Sequence, residues 1–172
     1  VDLHLHAPQY GFRGTKMDLE LLDWLNVNTF PEEAKYQNLD YAERGYRDFV
    51  EDLRGSATTR AVIFATLHKD ATLLLMKLLE ESGLLSYVGK VNMDRNSPEY
   101  LTEHTAEESL KNTKEWLSEI PKDWQNCKPI LTPRFTPTCS DALMEGLGKL
   151  AKEYKLPVQS HLSENPGEIA WV

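Results

Sequence analysis

The amino-acid sequence predicts an α/β fold, namely about the first five strand–helix units of a (β/α)8 TIM-type barrel. Three observations carry that expectation. Short apolar, β-branched stretches alternate with amphipathic helical patterns, and such alternation implies a parallel sheet with right-handed crossovers. No Gly-x-Gly-x-x-Gly follows any of the strands, so the main alternative, an open doubly wound sheet, lacks its usual phosphate loop. His4, His6, His68, Asp94, Arg134 and His161 fall at or just beyond the C-terminal ends of strands, where barrels build their sites.

The elements follow in order. Val1–His6 reads as the first strand. A long crossover holds a helix around Met17–Asn26, a loop over Pro31–Asn38 and a helix over Tyr41–Arg54, capped by Asp40 with Glu43 and ended by Gly55. Ala61–Leu67 is the second strand, apolar without strict alternation, as a strand buried on both faces would be. Asp70 caps Ala71–Ser82, whose Leu73, Leu74, Leu75, Leu78 and Leu79 cluster on one face, and Gly83 suits the left-handed position after its end. Tyr87–Met93 is the third strand, and Thr105 with Glu108 forms a capping box before Ala106–Glu119, with Leu110, Trp116 and Leu117 as apolar contacts. Pro129–Phe135 is the fourth strand, Ser140 begins the helix Asp141–Tyr154, and Leu156–Leu162 is the fifth strand. Asn165, Pro166 and Glu168 read as the cap, first residue and capping-box partner of a further helix. Opening in a strand and stopping two turns into a helix, residues 1–172 are expected to be an interior segment of a longer protein, the N-terminal portion of a catalytic barrel. Its sixth to eighth strands and a small β-rich domain would lie outside them.

Composition narrows the function. The chain is 41% hydrophobic and carries 27 acidic against 19 basic residues, a formal charge of −8. That balance argues against a nucleic-acid partner, which needs clustered Lys and Arg. No run approaches about 18 apolar residues, so no membrane span is encoded. The two cysteines, Cys127 and Cys139, are too far apart for a CxxC pair, and the expected compartment is a reducing cytoplasm.

His4 and His6 carry the first chemical signal. Residues i and i+2 of a strand share a face, so the two imidazoles converge on one point and suit a divalent metal. Taken alone, they could equally be polar residues on an exposed strand face. His161 adds a third imidazole at the end of the fifth strand, and Glu164 follows three residues later. A carboxylate there can take a proton from an activated water and return it to a leaving group, whereas its bland alternative is a surface residue near a helix cap. The HxE and PCxxC signature of cytidine-deaminase-type zinc enzymes is absent.

Together, VDLHLHAPQY at the first strand, TPRF at the fourth and QSHLSEN at the fifth resemble the amidohydrolase superfamily, and within it the branch that deaminates guanine. The likeness extends through MDLELLDWLN, TFPEEAKY, FATLHKD and GKVNMD. It implies a hydrolase converting guanine and water to xanthine and ammonia, with one zinc per chain on His4, His6 and His161 and a homodimeric assembly. By the same resemblance, His161 and Glu164 are catalytic, Glu164 as the proton shuttle, and Gln9, Arg134, Phe135 and His161 hold the purine. The chemistry is sensible: a guanidinium donates to the ring carbonyl, an aromatic ring covers the π-face, and an amide offers both donor and acceptor. Binuclear members carry a bridging modified lysine at the fourth strand, where Pro133-Arg134-Phe135 stands here, and Lys128 precedes that strand. A single metal is therefore expected. The superfamily completes its site with a histidine from the sixth strand and an aspartate from the eighth. Rival readings are a deaminase or hydrolase of another heterocyclic amine and a non-catalytic binding module. Arg134 could also be a structural ion pair, His68 a pocket residue or a hydrogen-bonded structural one, and Trp24, Phe30 and Tyr36 a shelter for the site, a subunit contact or plain core.

Overall fold

The computed structural model describes residues 1–172 throughout. Its strands are β1 (Asp2–His6), β2 (Arg60–Phe64), β3 (Leu85–Gly89), β4 (Val91–Asn92), β5 (Cys127–Pro129) and β6 (Thr132–Pro133). The helices are α1 (Leu21–Trp24), α2 (Phe30–Ala34), α3 (Leu39–Gly55), α4 (Lys69–Ser82), α5 (Ala106–Glu119), α6 (Asp141–Tyr154) and α7 (Pro166–Trp171).

All pairings are parallel, in the order β1-β2-β3-β5, with β4 on β6 as the continuation of the same pair of strands. A bridge from Leu131 to Val158 adds the fifth position beside the fourth. Each strand thus lies beside its neighbour in sequence. A doubly wound sheet reverses direction at a switch point; this one never does, and stepwise progression with one crossover per strand is the path of a barrel wall.

Several boundaries differ from the expectation, each for a local reason. The predicted third strand is split at Lys90, whose buried ammonium turns aside to bond Glu103 at 2.6 Å. The fourth is split at Ile130 and Leu131, between two prolines that have no N–H to give a ladder. Leu156–Leu162 forms no regular strand; Leu131 donates to Pro157, Gln159 to Leu131 and His161 to Arg134, so only part of the stretch runs beside the wall. Asp40 does not cap α3: Asn38 does, accepting from the Tyr41 N–H at 3.1 Å, while Glu43 pairs with Arg47 on the surface. Asp70 lies inside the first turn of α4, and His68 holds the capping position without a side-chain bond. Gly83 follows α4 at φ 78°, the left-handed conformation expected of it.

The first crossover departs most. In place of one helix and a loop, α1 runs into a π-turn over Leu25–Thr29 and then into α2 and a 3-10 turn over Lys35–Gln37. Pro31 therefore sits in the first turn of α2, and the Val27 carbonyl four residues before it, which it cannot bond, accepts Lys16 Nζ at 3.1 Å instead.

Behind the wall, α3 and α4 cover β1–β3 through Tyr46, Phe49, Leu75, Met76 and Leu79, with Trp116 of α5 fully buried among them. Leu143, Leu147 and Leu150 of α6 form a separate cluster with Leu131. Glu80 ties α4 to the start of β5: its carboxylate accepts the backbone N–H groups of Gln125, Asn126 and Cys127 at 2.8 to 2.9 Å. Between β3 and the neighbouring strand, Gly89 leaves no room for a side chain. A Cβ there would lie 1.7 Å from Thr132 Oγ1 and 2.7 Å from the Ile130 carbonyl oxygen.

Candidate active site

Alternation along β1 points His4 and His6 to one side, and the β1–β2 register sets His6 against Phe64. The Phe64 ring stacks on His6 at 4.6 Å and on His161 at 4.4 Å, forming an apolar floor for both imidazoles. The three histidine rings stand at the corners of a triangle, each pair of centroids 5.0 Å apart. Their candidate ligand atoms all fall within 4.8 Å of one another.

The ring nitrogens are sorted by their surroundings. His161 Nδ1 lies 2.7 Å from the Arg134 carbonyl oxygen and donates to it, which leaves Nε2 with its lone pair turned inward. That Nε2 lies 2.9 Å from His6 Nε2. Two ligands of one tetrahedral zinc stand about 3.3 Å apart, so a few tenths of an ångström would admit one. Burial, with the neighbouring Arg134 charge, holds His6 well below the usual imidazole pKa. Burial likewise takes His161 down to about 4, against the opposing carbonyl bond. Both are neutral at pH 7, the form that ligates metal. The donor set fits zinc: all imidazole, with room left for further ligands.

A cavity of about 180 Å³ opens on this cluster, bounded by Gln9, Arg134, Phe135 and Glu164 together with Leu21, Trp24, Leu25 and Glu168. Every residue expected at the site thus borders one space. Glu164 is exposed at the mouth, and Phe135 is buried in the wall.

The roles of Glu33, Phe64 and Glu168 were not legible beforehand, and the place of Phe30, left open between shelter, subunit contact and core, is now given. Glu33 of α2, 2% exposed, forms a forked pair with Arg134 at 2.6 and 3.3 Å and accepts Gln9 Nε2 at 3.1 Å. Phe30, one turn earlier on the same face of α2, lies under the Arg134 guanidinium at 4.9 Å. The signal for both was an acidic pair inside an otherwise apolar FPEEA segment, in a stretch expected to be partly loop. Phe64 reads as ordinary strand core. Glu168 accepts the N–H groups of Ser163 and Glu164 at 3.0 and 2.8 Å, reaching past its Asn165 cap to hold the loop. That loop carries Ser163 at φ 57°, a left-handed conformation that costs an L-residue about 1–2 kcal/mol unless its surroundings impose it.

The other candidates divide between structural roles and the cavity walls. Asp94 accepts from the Ser140 N–H at 2.7 Å and bonds its hydroxyl, bracing the start of α6. His68 faces a different cavity, beside Lys90 and Glu103. Tyr36 packs against Tyr46 in the core, the rings tilted by 39° with centroids 4.8 Å apart, whereas Trp24 lines the site. Arg134 is both an ion pair and a cavity residue, so its two readings are not exclusive.

A stepwise parallel (β/α) barrel wall with a histidine triangle at its carboxyl edge and an arginine-bearing pocket beside it defines a barrel of the metallohydrolase type. Comparison with known proteins makes this specific: the amidohydrolase family model matches residues 1–172, and the chain belongs to that family. It is 46% identical over 172 residues to guanine deaminase of Rattus norvegicus, covering 98% of this chain and 37% of that protein. It is 39% identical over 173 residues to guanine deaminase of Escherichia coli, covering 100% of this chain and 39% of that protein. The crystal structure of guanine deaminase from C. acetobutylicum with bound guanine in the active site superposes with a TM-score of 0.95 at 56% identity, over 98% of this chain and 40% of that one. The chain therefore spans well under half the length of these relatives.

Proposed function

We propose that the protein carrying these residues hydrolyses guanine to xanthine and ammonia, with one zinc per chain held by His4, His6 and His161. In this reading, residues 1–172 are the N-terminal portion of the catalytic barrel, and the remaining ligands belong to its later strands. The observation that carries it is the convergence of three imidazoles beside a pocket bearing Gln9, Arg134 and Phe135, in a chain closely similar to a guanine-bound structure.

When bound, zinc supplies a Lewis acid that makes water a competent nucleophile at neutral pH. The protein's own residues do the rest. Phe135 covers the ring face, and Arg134 donates to the carbonyl oxygen of the substrate, strengthening as charge develops there. Glu164 takes a proton from the attacking water and delivers it to the ring nitrogen, then takes the second from the hydroxyl now on the ring carbon and passes it to the departing amine. Atoms balance: water gains entry at the carbon that bore the amine, and ammonia leaves. The hydrogen bond from His161 to the Arg134 carbonyl ties the ligand set to the substrate wall. A homodimer and a cytoplasmic role in purine breakdown follow from kinship alone.

The test is ammonia and xanthine production from guanine by the metal-loaded full chain, with zinc counted per chain. Glu164→Gln is expected to keep its zinc and lose turnover about 10²- to 10⁴-fold. Retained turnover would remove Glu164 from proton transfer. A zinc-loaded full chain inert toward guanine would overturn the proposed substrate.

A further inference from the structure

Glu33 does more than neutralise Arg134. Its Oε2 accepts Arg134 Nη1 at 2.6 Å, while its Oε1 accepts both Arg134 Nη2 at 3.3 Å and Gln9 Nε2 at 3.1 Å. A carboxylate paired with a guanidinium has only acceptors to offer, so Gln9 must turn its amino group toward it. The carbonyl end of Gln9 is then the end left for the cavity that Gln9 lines. Arg134 has donors only, and Glu33 engages two of its five N–H groups. One wall of the cavity thus carries an acceptor from Gln9 beside donors from Arg134, and a single buried side chain orients the first and holds the second in place.

We infer that Glu33 is the positioning residue that fixes this polarity, and that the polarity selects a ring edge with N–H beside C=O, a lactam, over one with a bare ring nitrogen beside an amine. The choice of ring rests on the guanine reading. The orienting role rests on the hydrogen bonds alone. A wrong edge would set the Gln9 carbonyl against a bare ring nitrogen and an amine N–H against the guanidinium. Sites built of paired polar groups reject such mismatches strongly, because the buried groups lose their partners. Without Glu33, Gln9 would be free to rotate its amide by half a turn, so its half of the wall would accept either a ring N–H or a bare ring nitrogen, while Arg134 would still offer only donors.

Guanine and 2,6-diaminopurine test this. They carry the same amine at the carbon to be attacked and differ only at the neighbouring edge, C=O with N–H in one and amine with bare nitrogen in the other. Dissociation constants for both are measured by calorimetry on the zinc-loaded full chain, alongside kcat and KM. The parent protein is expected to prefer guanine by at least about 100-fold. Glu33→Gln, whose amide can donate to the Gln9 carbonyl, is expected to narrow that ratio at least about tenfold at unchanged zinc content. Glu33→Asp keeps the charge beside Arg134 but draws the carboxylate back by one methylene, out of reach of Gln9. It folds with less risk, and is expected to narrow the ratio as well.

A purely structural role would weaken both ligands together and leave the ratio alone; that result in either folded variant overturns the inference. So does a parent protein that binds the two purines equally, even if it deaminates guanine. Selective guanine binding without turnover sinks the proposed reaction, and the two ratios still decide the role of Glu33.

Discussion

Replacing Arg134 with Met removes the charge and hydrogen bonds of the guanidinium while keeping most of its length, and the structure sets the size of the effect. Glu33 is 2% exposed and Arg134 3%, so neither has water to fall back on. Removing one member of such a buried pair costs about 3–5 kcal/mol, because an uncompensated charge remains inside. With a urea slope of about 2 kcal/mol per molar, the unfolding midpoint should fall by about 2 M. Phe30, which loses the cation above it, adds about 0.5–1 kcal/mol to the loss. In the double variant Glu33→Gln/Arg134→Met the stranded carboxylate is gone, and about 2 kcal/mol or more of the loss should return. The assay is urea unfolding of the zinc-loaded full chain, followed by tryptophan fluorescence at matched slope. A single variant within about 0.5 kcal/mol of the parent, or strictly additive effects in the cycle, would refute the buried-pair reasoning. Guanine turnover by the still-folded variant should also collapse, since the same guanidinium faces the cavity.

Gly89→Ala should destabilise the protein by about 1–3 kcal/mol or more, because its Cβ would fall on Thr132 Oγ1 and the Ile130 carbonyl; a melting temperature equal to the parent's would show that β3 and β6 part easily. Burial pushes the thiol of Cys127 up to about 12 and that of Cys139 to about 11, so both should stay protonated and resist a disulfide reagent at pH 8 until urea unfolds the chain. Partial burial raises the Glu80 carboxyl, yet the backbone N–H groups of Gln125, Cys127 and Asn126 outweigh it and hold the pKa below the usual value. Its stabilising contribution is therefore complete above the unfolded carboxylate pKa and lost as pH falls through the lower folded one. Glu80→Gln should lose about 1–3 kcal/mol at pH 7 in urea unfolding and show a shallower acid-side decline than the parent. An equally steep decline would place the acid sensitivity elsewhere.

The alternation of β-branched stretches with capped amphipathic helices was enough to read a parallel α/β wall, because strand and helix periods are local properties of the chain. The histidine pair on β1 was legible for the same reason: a strand of any fold turns residues i and i+2 to one side. The motifs around Gln9, Arg134, Phe135, His161 and Glu164 marked the other site residues through their likeness to a family. The path of the sheet, each strand beside the last, depended on pairings far apart in sequence and needed the structure. So did the first crossover, where a π-turn and a helix replace the expected loop. That segment brings Glu33 across 101 positions to Arg134, and Phe30 beneath it. Nothing local marks an acidic residue as buried; only the cation waiting inside makes its burial affordable. Sequence alone determined which side chains can do the chemistry, whereas tertiary structure decided which of them are paired, desolvated and aimed, since those properties arise from neighbours distant along the chain.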